Sequence, residues 1–142
     1  MWAQVGARDE PDALAGASHF LEHLLFKGTA DRTALEIAEA VDRVGGDMNA
    51  FTGREATAFY ARVPADELAM AVDLLADVVV DPAFHRDDVE VERDVILDEL
   101  AASLDTPDDR IHVALSEAVF PGHPLGREVI GSVETVTGLD RD

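Results

Sequence analysis

Two imidazoles and a carboxylate stand at the spacing His19-Phe20-Leu21-Glu22-His23. On a helix, with His19 at zero, His23 falls at roughly 40°, Glu22 at roughly −60° and Phe26 at roughly −20°. Histidines four residues apart can each turn a ring nitrogen to one divalent cation, and the carboxylate beside them can act as a base. Phe20, Leu21, Leu24 and Leu25 fill the rest of the circumference, so the helix reads as buried. A polar stripe buried without partners is costly, and a metal ion is one way to satisfy it. The competing reading is a core helix whose histidines only make hydrogen bonds. With five histidines in the chain, chance produces such a spacing on the order of a few per cent of the time.

A second pair of carboxylates narrows the choice. In the segment 86–104, with Glu99 at zero, Glu92 falls at roughly 20°, Val95 at roughly −40°, Ile96 at roughly 60°, Val91 at roughly −80° and Leu100 at roughly 100°. Glu92 and Glu99 thus stand inside an apolar stripe, whereas Asp94 and most other acids of the segment point to solvent. A carboxylate in that position must be paired, protonated or bound to metal. The chain has no cysteine, which excludes disulfides, thiolate metal sites and thiol catalysis. Any metal site is therefore built from His, Asp and Glu. Two histidines and one glutamate around zinc, with a fourth position left for water, form an arrangement used for hydrolysis.

The elements that must carry these residues are legible from caps and breakers. Residues 2–7 read as a short strand, followed by a polar turn containing Pro11. Residues 16–27 form the first helix, stopped by Gly28. Thr33 and Glu36 have capping-box spacing and open a helix that runs to Gly45-Gly46. Residues 47–52 and 55–63 read as two strands around a tight Gly53-Arg54 turn. Helices follow at 65–80, stopped by Asp81-Pro82, and at 86–104, stopped before Pro107. Thr106 and Pro107 start another helix that ends near Phe120. The fold class is α+β, a layered sheet with packed helices. The final residues 137–142 read as the start of a further element, and the chain as a piece of a longer polypeptide.

Composition limits the partners. The chain has 142 residues, 47% of them hydrophobic, and its 11 basic against 30 acidic residues give a formal charge of −19 at pH 7. So acidic a chain is a poor partner for nucleic acid or for an anionic membrane surface, and neither is expected. Metal cations and basic or neutral peptides suit it. Halophilic adaptation is a plainer account of the same charge. The opening Met1-Trp2-Ala3-Gln4-Val5-Gly6 lacks the basic and apolar regions of a signal peptide. The longest apolar runs, such as Val78-Val79-Val80, are too short to span a bilayer. The expected location is cytoplasmic.

Taken together, the motifs resemble a known family. His19-Phe-Leu-Glu22-His23 with the following Leu-Leu-Phe-Lys-Gly-Thr29 is similar to the inverted zinc motif of the pitrilysin, insulysin and mitochondrial processing peptidase family. Glu92 to Glu99 resembles that family's paired-glutamate helix, with Glu99 lying 76 residues after His23. The runs from Gly45 to Thr52 and His123-Pro-Leu-Gly126 also look like family segments. The resemblance implies a metallopeptidase half-domain of the bacterial processing-peptidase-like branch. It implies that residues 1–142 are part of an N-terminal zinc-binding peptidase domain, with further domains downstream or on a partner chain. His19, His23 and Glu99 would bind one zinc ion, and Glu22 would be the general base. Glu92 would orient a ligand, and Asn49, Ala50 and Phe51 would take the substrate backbone on an edge strand. The expected activity is hydrolysis of peptide bonds in peptides or presequences, inside a chamber closed by a homologous second half-module. Read from residues alone, Asn49 and Phe51 are better taken as ordinary hairpin residues. His85 reads as a surface or capping residue, His112 as packed within a helix, and His123 as part of a turn.

Two other readings compete with a peptidase. One is a zinc-binding but non-catalytic subunit or fragment that serves assembly, and the other an acidic interaction module with a fortuitous motif.

Overall fold

The computed structural model describes residues 1–141. Its nine principal elements are β1 (Trp2–Ala3), α1 (Ala17–Leu25), α2 (Ala34–Asp42), β2 (Asp47–Thr52), β3 (Thr57–Arg62), α3 (Leu68–Val80), α4 (Arg86–Asp105), α5 (Pro107–Val119) and α6 (Val133–Gly138). The three strands form an antiparallel sheet in the order β1-β3-β2, so β2 lies at an edge. Helices cover the inner face, which makes this the α+β layered arrangement that the pattern of caps and breakers implies.

Local signals set most boundaries. The Thr33 hydroxyl accepts from the Glu36 N–H while the Glu36 carboxylate accepts from the Thr33 N–H, a complete capping box at the start of α2. Pro107 occupies the first turn of α5, where its missing N–H has no intrahelical partner to lose. In the hairpin, the Gly53 N–H donates to the Ala56 carbonyl and closes the turn on Arg54-Glu55, one residue beyond the position expected from sequence.

Three apolar clusters make the core. Phe20 and Leu24 of α1 meet Val89 and Ile96 of α4 and Val136 of α6. Ile37 and Val41 of α2 pack on Leu74 and Val78 of α3. Leu25, Ala50 and Phe59 join α1 to the sheet. The site helix α1 is thus gripped on two sides, by α4 and by the strands. Its C-terminal end is tied down as well. The buried Thr29 hydroxyl donates to Asp77 on α3, and the Arg32 guanidinium is paired with Asp73 and Asp77.

Three expectations are corrected here. The first strand spans only Trp2–Ala3 rather than 2–7, and Ala7–Asp9 is a 3-10 turn. After Ala3 the chain leaves the ladder to lie on the hairpin turn, with the Ala7 and Arg8 N–H groups donating to the Gly53 and Arg54 carbonyls. A Cβ on Gly6 would sit 2.5 Å from the Gly53 carbonyl oxygen, so the close approach demands glycine. Thr137 and Gly138 end an element rather than start one: α6 begins at Val133, capped reciprocally by Ser132 and Thr135. Asp142 lies outside the described residues. His112 is exposed, not packed, because α5 buries none of its residues. Among the described residues, no helix is long and apolar enough to cross a membrane.

Candidate metal centre

The imidazoles of His19 and His23 lie side by side on α1, ring centroids 4.7 Å apart. Glu99, from α4, comes to them across the helix pair. Its Oε2 is 3.5 Å from His23 Nε2 and 3.9 Å from His19 Nε2. One ligand atom from each of the three falls within 4.8 Å of the others, and they form the sole such group of histidines and acids among the described residues. The donor set fits zinc. Tetrahedral bonds of ordinary zinc length put ligand atoms about 3.3 Å apart. The two Glu99 pairs are already near that spacing, and the group as a whole, within 4.8 Å, would draw in to close on an ion.

The two carboxylates of α4 sit in different surroundings. Glu92 is buried, its side chain 4% exposed, and both its oxygens are in use. Oε2 lies 2.9 Å from His23 Nδ1, and Oε1 is ion-paired with the Lys27 ammonium. A carboxylate against Nδ1 holds the proton there and turns the lone pair of Nε2 toward Glu99. Glu99 instead has a 45% exposed side chain. The reading of two carboxylates in mid-stripe is therefore half corrected. The buried face of α4 runs through Val89, Glu92, Ile96 and Leu100, while Val91 and Val95 are exposed. Glu99 stands on the rim because those two valines do not face the core.

Burial, and next the neighbouring His23, hold the His19 imidazole below its ordinary pKa against the opposing pull of Glu22, Glu99 and Glu10. A neutral imidazole is the form that can donate a lone pair to a metal. Among the described residues, His19 Nδ1 is buried without a hydrogen-bond partner. Its ring lacks the carboxylate that fixes His23.

Glu22 projects toward the sheet. Its Oε2 accepts from the Thr52 hydroxyl at 2.5 Å, and an open groove beside it is lined by His23, Phe26, Lys27, Asn49 and Glu92. The other end of β2 alternates faces. Ala50 is buried against α1, whereas Asn49 and Phe51 are exposed on the outer face, Phe51 edge-on to Trp2 with centroids 5.5 Å apart. The Gly53–Ala56 pairing fixes the phase of the ladder, so the Ala50 N–H points away from β3 along the open edge. There it donates to the Asn49 side-chain oxygen at 2.8 Å.

The remaining histidines stand apart from the cluster. His85 caps α4 without a side-chain bond, and His123 Nδ1 accepts from the Leu125 N–H within its turn. The sequence alone assigns no role at the site to Thr52 or Lys27. Lys27 has a signal, being four residues after His23 and so on the same helix face.

An α+β domain that presents two histidines and a glutamate from paired helices is a scaffold for a divalent-metal site. The description "Insulinase (Peptidase family M16)" matches residues 1–133, and the chain belongs to that family of zinc metallopeptidases. An "uncharacterized zinc protease" of Mycobacterium leprae is 52% identical over 141 residues, covering 99% of this chain and 32% of that protein. A protease from Helicobacter pylori superposes with a TM-score of 0.92 at 26% identity, over 99% of this chain and 34% of that one. Pitrilysin does so at 0.82 with 32% identity, over 98% of this chain and 15% of its own. The chain spans about a third of the length of the curated relatives it matches.

Proposed function

We propose that this chain carries the metal-binding portion of a zinc endopeptidase, with His19, His23 and Glu99 as ligands and Glu22 as the general base. The observation that carries this reading is the meeting of three ligand atoms within 4.8 Å from two helices, Glu99 lying 76 residues after His23. When bound, zinc would supply an acidified water and polarise a carbonyl group. The chain's own groups do the rest. Thr52 occupies one oxygen of Glu22 and so aims the other, which takes a proton from water and delivers it to the leaving amine. Glu92 keeps the Nε2 of His23 directed at the ligand position. The open edge of β2 at Asn49, Ala50 and Phe51 receives an extended peptide through main-chain hydrogen bonds, which gives weak preference for sequence. The substrates are peptides or presequences. Residues 1–142 act as part of an N-terminal domain, and a homologous second module, in the same polypeptide or on a partner, closes the chamber.

Glu22→Gln in the complete enzyme tests this assignment. Cleavage is expected to fall by about 10²–10⁴-fold, the usual worth of a general base, while elemental analysis still finds one zinc per chain. Retained zinc with cleavage unchanged would overturn the assignment of Glu22 as the base, whereas zinc without any cleavage by the unsubstituted complete enzyme would favour a metal site that serves assembly.

A further inference from the structure

The two histidines are held in different ways, and the difference points to a residue outside the cluster. His23 has Glu92 against its Nδ1. Among the described residues, His19 Nδ1 has no such partner, so the ring's placement depends on the backbone that bears it. That backbone is the first turn of α1, whose N–H groups need acceptors from outside the helix. The usual remedy, a Ser, Thr or Asp at the N-cap, is closed to this helix. The N-cap is Gly16 at φ +96°, and a Cβ there would lie 2.6 Å from the Ile130 carbonyl oxygen. Gly131 returns the constraint, since its own Cβ would lie 2.4 Å from the Ala15 carbonyl oxygen.

The cap comes from six residues upstream. Glu10 Oε2 accepts from the Gly16 N–H at 2.9 Å, and Oε1 accepts from the Ser18 N–H at 2.7 Å. The carboxylate is almost fully buried, its side chain 6% exposed. Arg127, remote in sequence, fastens the segment that carries it. Its guanidinium donates to the carbonyls of Ala7 and Glu10 and to the Asp12 carboxylate. Ser18 is the residue immediately before His19. A bidentate carboxylate on both sides of that turn, at the positive end of the helix, fixes its axial position and rotation.

We propose that Glu10 is a positioning residue for His19, acting through the helix backbone as Glu92 acts on His23 through its ring. This rests on the metal reading given above, and the test separates the two. In the full-length enzyme, zinc affinity is measured against chelators of graded strength for Glu10→Ala and Glu10→Gln. Each change is made alone and again in His19→Ala and Glu92→Gln backgrounds, with circular dichroism as the check on folding. Glu10→Ala is expected to weaken zinc binding about tenfold, as losing a group that orients a ligand does. The loss should persist in the Glu92→Gln background and shrink to less than about twofold in the His19→Ala background, because its effect passes through His19. Glu10→Gln retains one acceptor oxygen and a comparable shape, so a smaller loss with the same dependence on His19 is expected. It carries the test if Glu10→Ala does not fold. Equal losses in all backgrounds, or none in the parent, would overturn the positioning role while leaving the metal site standing. An unsubstituted enzyme that binds no zinc would overturn the metal reading and this inference with it.

Discussion

Glu92 and Glu99 are two turns apart on one helix, yet they have opposite characters. Glu92 is sealed between His23 and Lys27 with both oxygens engaged. Glu99 stands on the rim, half-exposed, and faces two imidazole nitrogens at longer range. A buried carboxylate survives only if its charge is answered, and once answered it has little left to offer a ligand. A rim carboxylate keeps solvation, mobility and a free lone pair. On the proposed assignment, the contrast teaches that burial marks the supporting residue and exposure the binding one.

Exchanging each residue for its amide probes that contrast. Glu99→Gln removes a charged donor at little cost to the fold. It should lower zinc affinity by more than about 100-fold, beyond the range expected for a group that merely orients a ligand, with thermal unfolding of the metal-free protein unchanged. Titration calorimetry and a melting curve together check it. Glu92→Gln should reverse the proportions. Zinc affinity should fall about 10–100-fold, and the metal-free protein should lose on the order of 1–3 kcal/mol, because a buried ion pair is broken beside a partly exposed Lys27. Urea unfolding of both variants measures the difference, and equal destabilisation would erase the distinction drawn here.

The smallest effect is one of pH. His19 is held below its ordinary pKa in the folded protein, so the unfolded chain takes up its proton first as pH falls. Stability of the metal-free form is therefore full above the unfolded value, near 6.5, and declines below it. His19→Ala should flatten that part of the profile, read from urea midpoints on either side of the window.

Much of this architecture was legible because it is local. Thr33 with Glu36, the Pro107 start and the Asp81-Pro82 stop each act within a few residues, and the helices began and ended close to those marks. The His19-Glu22-His23 stripe is likewise the product of one helix and its periodicity. What escaped is non-local. Glu10 reaches Gly16 and Ser18 only because Arg127 holds the intervening loop, and no spacing rule links position 10 to position 127. The exposure of Val91 and Val95 depends on which side of α4 meets α1 and α6, information absent from the helix's own pattern. The hairpin turn lies one residue beyond the place that Gly53 suggests, because Gly53 pairs with Ala56 and its carbonyl accepts from the Ala7 N–H of a segment remote in sequence.

An unpaired strand margin is an invitation to stack copies of a protein into aggregates. On β2 the outward amide of Ala50 is already engaged by the neighbouring Asn49 carboxamide. Any newcomer must first swing that side chain aside, which discourages indiscriminate self-association yet leaves the margin available to a segment that contributes enough bonds of its own.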